Sequence, residues 1–300
     1  MVRDKTIELF KNTKKLIFPN IFWKIIYSIN PNYLNRKKQR MIGELKTIIK
    51  YENDYFEEAI SILIDLLKKD NHINEVIYYY NYCIKYYKSM RNKTNMILVY
   101  KLLINTILEC DSIYFIDNER DNMLVQTYID FSDILFENVQ SIEAIKYLEE
   151  AMKLCYKICS YSVLENICLK LATIYIDINE YKKALIFLDD TIKYKPRYSF
   201  SRRDMKIIIL YILLLLAMDS TCLEVRKQLD FLRKTYTNIY ECEEYLFIIN
   251  MISSVENSDV NHFTHEIHNI KFKKEEVYTK LFIDIHKNIL LSSRITHYSI

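Results

Sequence analysis

The sequence predicts an all-α fold, an antiparallel α-solenoid of helical hairpins that ends in a small helical bundle. Three observations carry this. The 300-residue chain has one glycine, Gly43, and three prolines, Pro19, Pro31 and Pro196. That leaves almost no β-turn chemistry and excludes β-hairpins and glycine-rich phosphate loops as organising features. Apolar residues recur at helical spacing from residue 36 onward. Finally, the stretch 165–198, ENICLKLATIYIDINEYKKALIFLDDTIKYKPRY, reads position by position as a 34-residue helix-turn-helix repeat.

Such a repeat needs an apolar residue beside a small one where its two helices cross, then an aromatic one turn on. Leu171, Ala172 and Tyr175 supply these. The second helix must also approach closely, and Ala184 followed by Leu188 meets that need, with Pro196 closing the unit. Asn179 and Glu180 make the turn. This is the tetratricopeptide pattern, and a unit of this kind cannot bury its apolar faces alone. A neighbour is expected and legible: Ala144 stands 40 residues before Ala184, and it brings Ser132, Leu135, Leu148 and Ala151 into the equivalent positions.

In chain order, 2–15 reads as a short amphipathic helix with Ile7 and Phe10 on one face among lysines and Arg3. The next segment, LIFPNIFWKIIYSINPNY, lies between prolines and is too irregular for a repeat. It reads either as a cap on the solenoid end or as a loop that dips into a bilayer interface, where Trp with flanking lysines is favoured. Helices are then expected at 36–51, 54–69, 73–90, 94–110, 120–137, 141–158, 161–178 and 181–194. Five more follow at 202–219, 222–236, 240–256, 259–270 and 274–291, with a frayed tail from Ser292. The expected division is 1–35 for the first helix and hydrophobic loop, 36–220 for the solenoid, and 221–300 for the bundle and tail.

Two apolar runs bear on membrane insertion. The run 207–218 is too short for a span of about 20 residues and reads as a buried core helix. The run 16–29 is broken by Pro19 and Lys24 and lacks a small-residue cleavage site, so it is neither a span nor a signal peptide.

Composition narrows the function. Net charge is +3, from 42 basic and 39 acidic residues, so the chain as a whole is no polyanion binder. Seven cysteines without a C-x-x-C pair read as reduced thiols packed as small hydrophobes. The abundance of Ile, Lys, Asn and Tyr reflects an AT-rich coding bias, which accounts for aromatics where other repeats carry alanine.

The tract 78–95, YYYNYCIKYYKSMRNKTN, mixes aromatics with lysines as a single-strand nucleic-acid surface does. Tyr79, Tyr82, Ile84 and Tyr86 recur at helical spacing, however, and the chain carries 26 tyrosines, so core and groove packing is the reading. On one helix His262 and His268 lie about 120° apart, so with His265 they make a solvated face rather than a metal site. No nucleophile, carboxylate pair or phosphate loop stands out. No enzyme, cofactor, metal, small-molecule substrate or nucleic-acid partner is expected.

The central pair SIEAIKYLEEAMKLCYK and LATIYIDINEYKKALIFLDD, the segment FSRRDMK at 200–206, and Glu241-Cys242 with ENSDVNHFTHEIHNI together resemble the soluble NSF attachment protein family (alpha-SNAP). So do the length, the helix count and the early hydrophobic loop. The resemblance implies an adaptor that binds assembled SNARE complexes and recruits the hexameric ATPase NSF, cytoplasmic and peripheral on intracellular membranes. It implies SNARE contact at Lys88, Lys170, Arg202 and Arg203. Membrane contact falls to Phe18, Ile21, Phe22 and Trp23, and ATPase contact to Leu290 and Leu291. Where the family carries another lysine this chain has Asn166, and where the family ends in an acidic tail it reads SSRITHYSI. The alternatives are a general tetratricopeptide scaffold subunit with no membrane role, and an RNA-binding repeat protein.

Overall fold

The computed structural model describes residues 31–50, 55–110, 114–115, 118–193, 202–218, 220–236, 239–269 and 276–297. Among these the structure is all α, with thirteen α-helices and no strand. The chain packs as two compact units that divide between Arg120 and Asp121.

The first unit holds α1 (Pro31–Lys50), α2 (Phe56–Lys69), α3 (Ile73–Ser89) and α4 (Lys93–Glu109). Each packs on the next. Leu45, Ile48, Phe56, Leu63, Leu67, Val76, Leu103 and Ile107 form the core. Helix α1 begins five residues before its expected start. Proline is well suited to the first helical position, since its missing N–H has no intrahelical partner there, and Pro31 takes that place. An Lys38–Asp70 ion pair and a 2.6 Å Lys46–Glu75 pair tie α1 to the α2–α3 hairpin.

The second unit holds α5 (Glu119–Glu137), whose first two residues precede the division, α6 (Ser141–Lys157), α7 (Tyr161–Asp177) and α8 (Tyr181–Lys193). It continues with α9 (Arg202–Ala217), α10 (Cys222–Thr235), a short 3-10 turn at Ile239–Glu241, α11 (Glu243–Glu256), α12 (Val260–Asn269) and α13 (Glu276–His297). Residues predicted to sit at helix crossings do so: Leu171, Ala172, Ala184, Leu188, Ala144, Leu148 and Ala151 are each fully enclosed. Ser132, at the small-residue position of α5, is buried with its hydroxyl donating to the carbonyl of Ile129. Pro196 and the residues 16–30 lie outside the described residues.

Helix α9 is the hub. Residues 207–217 are buried on every side, and α8, α10, α11 and α13 all pack on it. A helix that is apolar all round is a core helix or a span. No helix among the described residues is long and apolar enough to cross a membrane. Helix α13 runs on to His297, so the segment expected to fray from Ser292 continues the helix.

Six of the turns share one geometry. Asn71, Arg91, Val139, Cys159, Asn179 and Ser258 all take a positive φ between 54° and 63°. In each case this residue's N–H donates three residues back and the next N–H donates five residues back, as in Val139 to Phe136 and Gln140 to Leu135. That is the Schellman ending of a helix, which normally uses glycine. Asparagine tolerates the left-handed region, but a β-branched residue does not. Val139 is therefore strained, and its side chain is 90% exposed, so no burial compensates.

Replacing Val139 by glycine should stabilise the protein. It removes a left-handed penalty of about 1–2 kcal/mol, against an entropic cost for glycine of roughly 0.5–1 kcal/mol. The expected result is a rise in melting temperature of about 2 °C; a fall would show that the turn is not strained at this position.

Candidate partner-binding site

The candidate surface begins at α7. Leu171 and Ala172 face the helix crossing, and Lys170, about 100° around the axis from Leu171, emerges half-buried. Its ammonium group is not directed to open solvent. It donates to the carboxylate of Asp133 on α5, with side-chain exposures of 28% and 49% for the two partners. Surface pairs of this kind contribute about 0–1 kcal/mol. The pair therefore matters less for stability than for what the lysine is free to do.

The other expected contacts fall as follows. Helix α9 opens at Arg202, and the side chains of Arg202 and Arg203 lie outside the described residues. Lys88 is exposed in the last turn of α3, in the first unit. Asn166 is half-buried on α7. Phe18, Ile21, Phe22 and Trp23 lie outside the described residues. Leu290 and Leu291 are exposed on α13, at 37% and 59%.

Helix α13 carries contacts that sequence reading missed. Lys280 donates to the carbonyl of Asp177, the last residue of α7, and the Tyr181 hydroxyl at the start of α8 donates to Asp284. Asn288 reaches the carbonyl of Ala217 at 3.1 Å. These partners are 103, 103 and 71 residues apart, so no local pattern could have announced them. Burial, and then the adjacent Asp284 carboxylate, hold the Tyr181 phenol well above its ordinary range.

The tyrosine tract packs as predicted. Tyr79, Tyr80, Ile84 and Tyr87 are buried, Tyr86 stacks on Phe56 at 3.9 Å, and the Tyr87 hydroxyl donates to Glu57 at 2.9 Å.

The histidine face differs from expectation at one residue. His262 Nδ1 lies 2.7 Å from the hydroxyl of buried Ser254, so it joins α12 to α11 while its side chain stays 41% exposed. His265 and His268 are exposed. No group of three or more His, Cys, Asp or Glu among the described residues is arranged to hold a metal ion.

The cysteines divide in the same way. Cys83, Cys110, Cys155 and Cys168 are buried, and burial pushes the Cys83 thiol up to about 12 and the Cys168 thiol up to about 11. Cys159 contradicts the packed-hydrophobe expectation. It is exposed, because the position it occupies is the left-handed residue of the α6–α7 turn.

Together these features define a repeat protein, an α-solenoid of tetratricopeptide-like hairpins with a helical bundle after them. The family model for "Soluble NSF attachment protein, SNAP" matches residues 104–289, more than half of the chain, and the protein belongs to that family. A comparison with curated proteins finds no match. Among solved structures the chain is similar to a signal-transduction ATPase (STAND protein) with a tetratricopeptide repeat sensor from Pyrococcus horikoshii. Identity is 13% over 86% of this chain and 42% of that one, at a TM-score of 0.48. This chain thus spans less than half the length of that protein. It is also similar to BtubC from P. vanneervenii, at 14% identity, 88% and 90% coverage, and a TM-score of 0.36.

Thiol labelling checks the burial directly, because the thiolate is the reactive species. At pH 8 in native buffer, Cys159 should react within minutes, while Cys83 and Cys168 should react only as fast as the protein opens. Fast labelling of Cys83 would contradict its enclosure between helices.

Proposed function

We propose that this protein is an adaptor that binds assembled SNARE complexes and recruits an NSF-type hexameric ATPase for their disassembly, in vesicle fusion and intracellular protein transport. It performs no catalysis of its own. The observation that carries the proposal is family membership over a segment that includes both the Lys170 hairpin and most of α13. In this reading Lys88, Lys170, Arg202 and Arg203 meet the acidic surface of the SNARE bundle, and Leu290 and Leu291 meet the ATPase. The segment 1–35 leans on the membrane through Phe18, Ile21, Phe22 and Trp23. The protein then works in the cytoplasm, peripheral on intracellular membranes.

One observation favours a second reading, a tetratricopeptide scaffold subunit without a membrane role. Lys170 is already neutralised by Asp133. A SNARE bundle would have to displace that carboxylate or bind beside it.

Capture of assembled SNARE complex at low and moderate salt separates the two readings. Charge-driven contact weakens as the screening length falls to about 10 Å at 0.1 M. Binding that declines with salt is expected, and no binding at any ionic strength favours the scaffold. Replacing Asp133 by asparagine should release Lys170 and tighten SNARE binding severalfold at low salt, with the gain lost in high salt. An unchanged affinity would remove Lys170 from the contact.

A further inference from the structure

Helix α13 buries one row of side chains, Leu281, Ile285 and Ile289, flanked by Tyr278 and Phe282, and it packs on α9. Toward α7 it packs more sparsely than on α9. A cleft of about 270 Å³ opens there, lined by Phe136, Thr173 and Ile176 opposite Val277 and Ile283. The other faces of α13 are held by α9, α12 and the Phe282–Phe247 ring contact, but beside the cleft a gap lacks the dispersion contacts that resist displacement.

What spans the gap is polar. The backbone bonds of the α7–α8 turn use the carbonyls of Ile174, Tyr175 and Ile176. The carbonyl of Asp177 accepts instead from Lys280, which stands at the edge of the cleft. A lysine at a helix C-terminus also complements the negative end of the helix dipole. Four residues along α13, Asp284 accepts from Tyr181 on the other side of the same turn. Lys287 lies 3.1 Å from the same carboxylate. Leu290 and Leu291 follow Asp284 by less than two helical turns, about 10 Å.

We infer that Lys280, Asp284 and Tyr181 form a latch between α13 and the α7–α8 turn, and that they are positioning residues for the partner that Leu290 and Leu291 engage. The inference rests on the reading of those leucines as the ATPase contact. The latch stops α13 from rolling into the cleft and so presents both leucines in one orientation.

The test uses the full chain with Tyr181→Phe and Lys280→Met combined, changes that keep the ring and the aliphatic stem. Hydrogen exchange of amides 284–297 should become at least tenfold faster while α9 stays protected. SNARE-complex affinity should stay within twofold, and stimulation of an NSF-type ATPase on SNARE complex should fall at least fivefold. Lys280→Arg alone, which keeps the donor, should behave as the unaltered protein. Unchanged exchange in the double variant would overturn the latch.

A Leu290→Ser, Leu291→Ser variant separates the two claims. If it loses stimulation while the latch variant exchanges fast yet stimulates fully, the positioning role is overturned. If the leucine variant stimulates fully, the ATPase reading fails and the latch is decided by the exchange alone.

Discussion

The second unit and the α2–α4 segment of the first depend on a three-residue turn whose middle residue must take a left-handed backbone. In a chain with a single glycine, that demand falls on Asn71, Arg91, Val139, Cys159, Asn179 and Ser258. Asn71 and Asn179 tolerate this region, and at about 1–2 kcal/mol for each of the other four the strain, roughly 4–8 kcal/mol, is comparable with the lower part of the 5–15 kcal/mol by which a whole domain is stable. Each turn offsets it with two backbone hydrogen bonds of about 0.5–1.5 kcal/mol apiece and by bringing two apolar helix faces together. The turns also set the spacing. Helices of 17 residues joined by three give starts at Ile73 and Lys93, and at Ser141, Tyr161 and Tyr181. Ala144 and Ala184 therefore recur at the same point of successive hairpins, where a small side chain lets helix axes approach to about 8–10 Å.

Much of this is legible in the sequence because it is local. Helix starts and ends follow apolar spacing, and most fall within one or two residues of expectation. Ala172, Ala184 and Ser132 can be placed because crossing positions admit only small residues. Asn179 announces its turn, since asparagine enters the left-handed region readily. Val139 and Cys159 carry no such signal, and the exposure of Cys159 follows from the turn and not from the chemistry of cysteine. Pro31 reads as the close of a loop and is instead the start of a helix, because proline is tolerated in the first helical turn as well as in loops.

The surface is less legible because its pairings are long-range. Lys170 can be assigned to α7 and kept out of the core, but Asp133 lies 37 residues away and is not part of any motif. The same holds for Lys280 with Asp177 and for Tyr181 with Asp284. Such pairs determine whether a basic residue is available to an acidic partner and how a helix is held beside a cleft. Family membership indicates which surface to study. In the proposed reading, the ion pairs on that surface decide how strongly it binds, and how far salt will weaken it.

Reconstituted disassembly tests the account most directly. SNARE complex carrying a donor and acceptor fluorophore pair, mixed with an NSF-type ATPase and ATP, should stay assembled until this protein is added. It should then come apart at a rate that rises with the amount added. The protein should give no disassembly without the ATPase or without ATP, as an adaptor with no catalysis requires. SNARE complex that remains intact at saturating protein, with the ATPase active on a known adaptor in the same assay, would contradict the account.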